Sequence, residues 1–293
     1  RNTGTWTGIL DNMAGATAVN TGTWNGAVGN AGPVNNSGTV NGGVDNIGTL
    51  INTGTVTGLV DNRMSGKVIT SGTISGGLSN EATVIASGTI AGGIDNKAGG
   101  KITVVGNLTA SGGNVTQAAG ASLSVQAGTF SGIGTLTNAG IVKVLSGATL
   151  TATDLVNNAG GIVSVAAGGT VVDALTNAGT VTNNGSYTAD ATNLATGVIT
   201  NNGTWTGNLL SNTGIVNNTG TWTGSGSSTG LVNNTGTWAG NFSNGGMMTL
   251  SGTVTGNLTN TGTVAASGAA ATVGGNLINN GTVSMTNGVA TDA

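Results

Sequence analysis

The chain has 293 residues, 57 of them Gly, with one Pro, no Cys and no His, and only 5% of its residues are charged and 3% aromatic. A net charge of −3 supplies no basic patch, which makes nucleic acid a poor partner, and no apolar run approaches the ~20 residues that span a bilayer. Low charge with 37% apolar residues is not the composition of a disordered chain, and the prevailing small, β-branched and turn-forming residues favour short strands over helix.

Arg1-Asn2-Thr3 already lies inside a repeat and nothing at the start resembles a signal peptide, so the chain is read as an interior piece of a longer protein. A Gly-Thr-apolar core then recurs as GTWTG at 4, GTWNG at 22, GTVNG at 38, GTVTG at 54, GTISG at 72 and GTIAG at 88, at spacings of 18, 16, 16, 18 and 16. Half a period away an Asn leads a turn towards Gly, as at Asn12 to Gly15, Asn46 to Gly48 and Asn62 to Gly66. Residues 1–99 are therefore short-period coils. Over 100–200 the first marker blurs and the second persists, its glycines 20, 20, 19 and 18 residues apart, so the coils lengthen. The least regular part, 100–134, has room for a loop or a wider coil. The short period returns over 201–293, with cores at Gly203, Gly220, Gly236 and Gly252, spaced by 17, 16 and 16.

Fixed periods this short are too small for helical repeats and suit one coil of a β-solenoid. Counting the second marker from Gly15 to Gly281, with Thr83 standing in once for Gly, gives 16 coils and no visible domain boundary. The expected fold is all-β: a single-stranded parallel β-helix of about 16 coils of 16–20 residues, continuous over 1–293, in a rod of roughly 75–80 Å. The parallel-crossover rule favours a right-handed winding. Neither end shows a charged or helical cap, which points to further coils or to end-to-end association.

Within one coil, 204–206, 208–210 and 214–217 are expected as extended segments, with Gly207 and 211–213 as corners. Alternation along the first segment turns Trp205 inward and its flanking threonines outward. The equivalent positions Trp6, Trp24, Val40, Val56, Ile74, Ile90, Trp222, Trp238 and Val254 are all apolar, which predicts a buried stack rather than a sugar-binding aromatic strip. One outward column is complete: Thr5, Thr23, Thr39, Thr55, Thr73, Thr89, Thr204, Thr221, Thr237 and Thr253. It is the candidate exposed binding column. Its companion mixes Thr, Asn, Ser and Ala, which departs from the two matched Thr rows of ice-binding solenoids; β-favouring residues on an exposed sheet account for it as well. Asn columns are expected outside, at the corners, satisfying turn backbone and stacking as amide ladders.

Asp11, Asp45, Asp61 and Asp95 recur at one place in LDN, VDN, VDN and IDN, and Asp45 and Asp61 fall on adjacent coils. Glycine-rich calcium repeats are missing, so these read as turn residues and no metal or cofactor is expected. Without His or Cys, and with Glu81 the sole Glu, no catalytic residue is assigned and the chain is read as non-enzymatic. Arg63 and Lys67 near Asp61 read as a solvated surface pairing.

LTNAGTV at 175–181, LTNTGTV at 258–264, LINNGTV at 277–283 and GTVTGNLTNTGTV from Gly252 resemble the passenger-associated strand repeats of bacterial autotransporters (type V secretion). The likeness covers most of the chain and is sharpest after Asn201; phage fibres and filamentous haemagglutinin-like adhesins use similar coils. The resemblance implies a right-handed parallel β-helix outside a Gram-negative cell, exported through a C-terminal β-barrel and serving adhesion, autoaggregation or biofilm formation. Two departures stand out: no barrel and no protease or esterase constellation are visible, and the compact coils leave room for a triangular solenoid. The expected function is an extracellular structural or adhesive segment whose partners are cell-surface or matrix ligands, or identical chains. Self-assembling fibre subunit, ice-binding solenoid and polysaccharide-active β-helix are the alternatives.

Overall fold

A computed structural model of the chain describes residues 1–268 and 271–286. Those residues are all-β, without helix, and their parallel strands stack as a β-solenoid of about 16 turns. The chain divides into two compact units, Arg1–Thr153 and Asp154–Ala293, taken in turn.

A coil of the first unit has three strands, as in Val44–Asn46, Thr49–Asn52 and Thr55–Val56. Each pairs in parallel with its counterpart one coil on: Val44–Asn46 with Val60–Asn62, Thr49–Asn52 with Lys67–Thr70, and Thr55–Val56 with Thr73–Ile74. The three stacks form three faces. In the second unit the coil drawn above as 204–206, 208–210 and 214–217 is Thr204–Thr206, Leu209–Asn212 and Ile215–Asn218, displaced by a residue or two at the corners.

The short repeat closes because glycine permits backbones to touch. Thr39 N donates to Gly22 O at 2.9 Å, and Thr55 N to Gly38 O at 2.9 Å. A Cβ on Gly38 would fall on the Gly22 carbonyl oxygen, so the residue before each Thr must lack one. A Cβ on Gly4 would meet nothing within 4 Å.

The apolar columns fill the interior. Val40, Val56, Ile74 and Ile90 are buried in the first unit, and Trp205, Trp222, Trp238 and Val254 in the second. Trp24 is nearly buried at 5% exposed. Trp6 pairs in register with Trp24 but, unlike the rest of the expected core stack, is 52% exposed.

The largest correction concerns asparagine. The Asn columns do form amide ladders, but inside the solenoid rather than outside. In Val44–Asn46 and Val60–Asn62 the Asn lies two residues after an inward Val and shares its face. Asn30 Nδ2 donates to Asn46 Oδ1, Asn46 Nδ2 to Asn62 Oδ1 and Asn62 Nδ2 to Asn80 Oδ1, each at 2.7 Å. Asn46 Nδ2 also donates to the backbone oxygens of Gly48 and Lys67, at 3.1 and 3.2 Å. Its own carbonyl accepts from Arg63 N at 2.9 Å. A second ladder, Asn20 to Asn36 to Asn52, runs through the same unit, and Asn183, Asn201, Asn218 and Asn234 form another in the second unit. Burial of so many amides is tolerable only because each finds partners one coil away.

Where a ladder stops, the corner changes. After Asn52 the register carries Thr70, then Ala86, then Val104. There Thr83–Ile90 and Lys101–Thr109 run on as single strands of 8 and 9 residues, whereas the next two in register, Ser122–Val125 and Ile141–Val144, end at the corner again. The irregular stretch 100–134 is thus a wider coil, with Lys101 paired to Ser122 and Leu108 to Phe130.

Candidate functional site

Three surfaces or clusters carry chemistry beyond packing. The first is the threonine column. Thr5 pairs with Thr23, Thr23 with Thr39, Thr39 with Thr55, Thr55 with Thr73, and Thr73 with Thr89. In the second unit Thr204 pairs with Thr221, Thr221 with Thr237, and Thr237 with Thr253. Thr5, Thr204 and Thr221 are exposed and the other seven partly so. Sequence reading missed the start of the second-unit column, where Thr170 pairs with Ser186 and Ser186 with Thr204. Gly169-Thr170-Val171 and Gly185-Ser186-Tyr187 carried the signal, the latter with Ser in place of Thr. Beside the column stand Thr206, Thr223 and Ala239, so one regular hydroxyl row faces out, next to a mixed one.

The second is a charged corner on the first unit. Asp45 and Asp61 face each other in register on adjacent coils. Arg63 spans them, its Nε 2.7 Å from Asp61 Oδ2 and its Nη1 3.2 Å from Asp45 Oδ2. Burial works to raise the Asp61 carboxyl, but the hydrogen bond and charge of Arg63, with Ser79 and then Lys97 adding, outweigh it and hold the pKa below the usual range. A guanidinium therefore already occupies the place between these carboxylates where a cation would bind. Among the described residues no three Asp, Glu, His or Cys side chains cluster closely enough to hold a metal ion. A further pair, Lys97 Nζ to Glu81 Oε1 at 3.2 Å, lies along the same edge. Gly29, between Asp11 and Asp45 in register, opens a shallow hollow of about 320 Å³ walled by Met13 and Ile47.

The third cluster lies in the second unit, and only its Trp205, Trp222 and Trp238 were read from the sequence. Tyr187 continues the Trp205 column, pairing with it in register. Its ring stacks on Trp205 at 4.2 Å between centroids; Trp205 stacks on Trp222 at 4.5 Å and Trp222 on Trp238 at 4.8 Å, with interplanar angles of 3°, 12° and 9°. Phe242 closes the row edge-on at 81°. Gly226 makes room for it, since a Cβ there would meet the Phe242 ring. The indole N–H groups donate to backbone oxygens: Trp205 to Ala189, Trp222 to Gly207 and Trp238 to Gly224, at 3.0, 2.9 and 2.9 Å. At the other end the Tyr187 hydroxyl donates to Asp173 Oδ2 at 2.9 Å, while Asp173 Oδ1 is buried without a partner. Burial pushes the Asp173 carboxyl up to about 7, against the Tyr187 hydrogen bond and with help from the charge of Asp154. Burial, then the adjacent Asp173, likewise drives the Tyr187 phenol well above its ordinary value.

No protein-family model matches the chain, and no curated protein matches it. Among solved structures, the crystal structure of the TibC-catalysed, hyper-glycosylated TibA55-350 fragment is similar at 19% identity over 95% of this chain and 97% of that one, with a TM-score of 0.30.

Proposed function

We propose that this chain is a non-enzymatic structural and adhesive segment on the outside of a bacterial cell, of the kind carried by autotransporter passengers. The observation that supports it most is the interior of the coils. In-register parallel strands locked by buried amide ladders make a stiff, repetitive body that presents long, regular columns of small polar side chains. The repeats at 175–181, 258–264 and 277–283, which resemble passenger-associated strand repeats, support the same reading. Adhesion to cell-surface or matrix ligands would then be multivalent, many weak contacts along one face adding up.

The experiment is to display the chain on a non-adherent, non-aggregating Gram-negative cell through a C-terminal β-barrel carrier. Binding to host-cell and matrix-coated surfaces is compared with cells carrying an unrelated β-solenoid of similar length. Raised adherence is expected; adherence equal to the control overturns the proposal.

A second reading, a self-assembling fibre subunit, is favoured by a different observation. From Ala191 to Thr286 the sequence has no ionisable side chain. One face of the second unit there carries Val198, Ile215, Leu231 and Met247 outward in register, with Ile215 and Met247 exposed. An uncharged face with an aliphatic row has little to oppose its association with identical chains. Concentration-dependent filaments in purified material would favour this reading over the stalk.

A further inference from the structure

The row of rings in the second unit has two ends of different character. One is Phe242, set edge-on to Trp238, whose benzene ring is hard to oxidise. The other is Tyr187, whose O–H already points at a carboxylate oxygen 2.9 Å away, the distance over which a proton passes directly. Between them lie three indoles in face-to-face contact, all buried, each N–H held by a backbone carbonyl. An amide oxygen is too weak a base to take the N–H proton, so an indole that loses an electron here stays a radical cation and keeps its oxidising power. Burial of apolar rings needs no such alignment: the equivalent positions elsewhere are Val40, Val56 and Ile74.

We infer that Trp238, Trp222, Trp205 and Tyr187 form a relay that carries a one-electron oxidising equivalent along the core and leaves it on Tyr187, with Asp173 taking the phenolic proton. A one-electron oxidant, such as a radical oxidant in solution, removes an electron from an indole of the row and is itself reduced by one electron. Each neighbour in turn gives an electron to the indole radical cation beside it, until Tyr187 supplies one to Trp205. As it does so, its O–H bond breaks and the proton moves to Asp173 Oδ2. The end state holds three intact indoles, a neutral Tyr187 phenoxyl radical and a protonated Asp173, with one electron lost from the chain and no proton lost. This activity goes beyond the adhesive reading and does not rest on it.

The chain has a single tyrosine, so any tyrosyl signal reports Tyr187. The test uses the full chain with Trp6→Val and Trp24→Val, which leaves only the three stacked indoles. An intense laser pulse at the red edge of indole absorption, where phenol is transparent, ejects an electron from the row by two-photon ionisation, and the electron passes to the solvent, where a scavenger traps it. The tyrosyl band is expected to rise as the indole radical-cation band decays, at a rate independent of chain concentration. Trp205→Val and Trp205→Phe are each expected to lose that rise; Val is already what this column carries at Val171 and Val254, and circular dichroism checks that the coils persist. Asp173→Asn, which accepts the hydrogen bond but not the proton, is expected to slow it. The wild-type relay is also expected to slow from pH 8 to pH 5, as Asp173, whose ionisable neighbours are Tyr187 and Asp154, becomes protonated beforehand. No tyrosyl signal, a rate that scales with chain concentration, or an undiminished signal in folded Trp205→Val and Trp205→Phe overturns the inference.

Discussion

Exchanging Asn46 for Asp alters the interior by one atom's chemistry and almost nothing in size. Asn46 is fully buried, and its Nδ2 supplies the N–H groups that meet Asn62 Oδ1 at 2.7 Å, Gly48 O at 3.1 Å and Lys67 O at 3.2 Å. An aspartate oxygen in that place has no proton to give, so Asn62 Oδ1 is left as a buried acceptor facing another acceptor, and the partly buried Lys67 O loses this donor too. The orphaned buried acceptor costs about 1–3 kcal/mol, and a buried charged carboxylate adds to that, so Asn46→Asp is expected to lose on the order of 3 kcal/mol or more at pH 8. Protonation returns one O–H donor, so lowering the pH to 5 is expected to recover roughly half of the loss. Asn41→Asp is the control: Asn41 Nδ2 meets Asn25 Oδ1 at 2.8 Å, but on the exposed surface, where water replaces the bond. Its cost is expected to stay within about 0.5 kcal/mol. Urea unfolding followed by far-UV circular dichroism at both pH values measures the difference. Equal midpoints for the two variants, or a loss in Asn46→Asp that pH does not touch, would refute the reasoning.

Gly38→Ala, which drives a methyl into the Gly22 carbonyl, is expected to cost about 1–3 kcal/mol or more, whereas Gly4→Ala, in open space, stays within about 0.5 kcal/mol by the same urea assay. Trp222→Ala should cost about 3–5 kcal/mol by opening a cavity between Trp205 and Trp238, and Trp222→Val visibly less, read from thermal midpoints. Asp173 has its pKa raised from 3.8 to about 7, so the folded chain holds this proton more tightly than the unfolded one; its contribution is full below pH 3.8 and is lost as pH rises through 7, by up to about 4 kcal/mol. Urea midpoints across that window should therefore fall with pH more steeply in the wild type than in Asp173→Asn, and equal slopes would count against the buried carboxyl. Arg63→Gln removes the partner that outweighs burial at Asp61, so the Asp61 titration followed by carboxyl NMR should move upward.

The period and the first-face register were legible in the sequence because Gly, Thr and the apolar residue are each required by a different contact. The glycine admits a neighbouring carbonyl, the threonine faces out from a pleated strand, and the apolar residue fills the interior. Asparagine was read on the wrong side, since its ordinary preference is the exposed turn and a lone buried amide is costly. What reverses that preference is the stack: Asn46 can be buried because Asn30 and Asn62 are buried above and below it, a condition no single coil reveals. A slip of one residue would turn the whole ladder out and its neighbours in, so the ladder also fixes register. The spacing of Asn46 two residues after Val44 held the clue. The aromatic row was legible from Trp205 onward; Tyr187 escaped because Ser186 replaced the marker threonine, and Asp173 because its approach to Tyr187 comes from a corner outside the repeat pattern.

The central claim, that buried amide ladders lock coil to coil and make the body stiff, is tested most directly by hydrogen exchange of the asparagine side chains. Nδ2 protons of Asn46, Asn62 and Asn218 are predicted to exchange as slowly as the strand amides around them, while those of the exposed Asn41 exchange fast. Ladder protons exchanging at the rate of Asn41 would contradict the account.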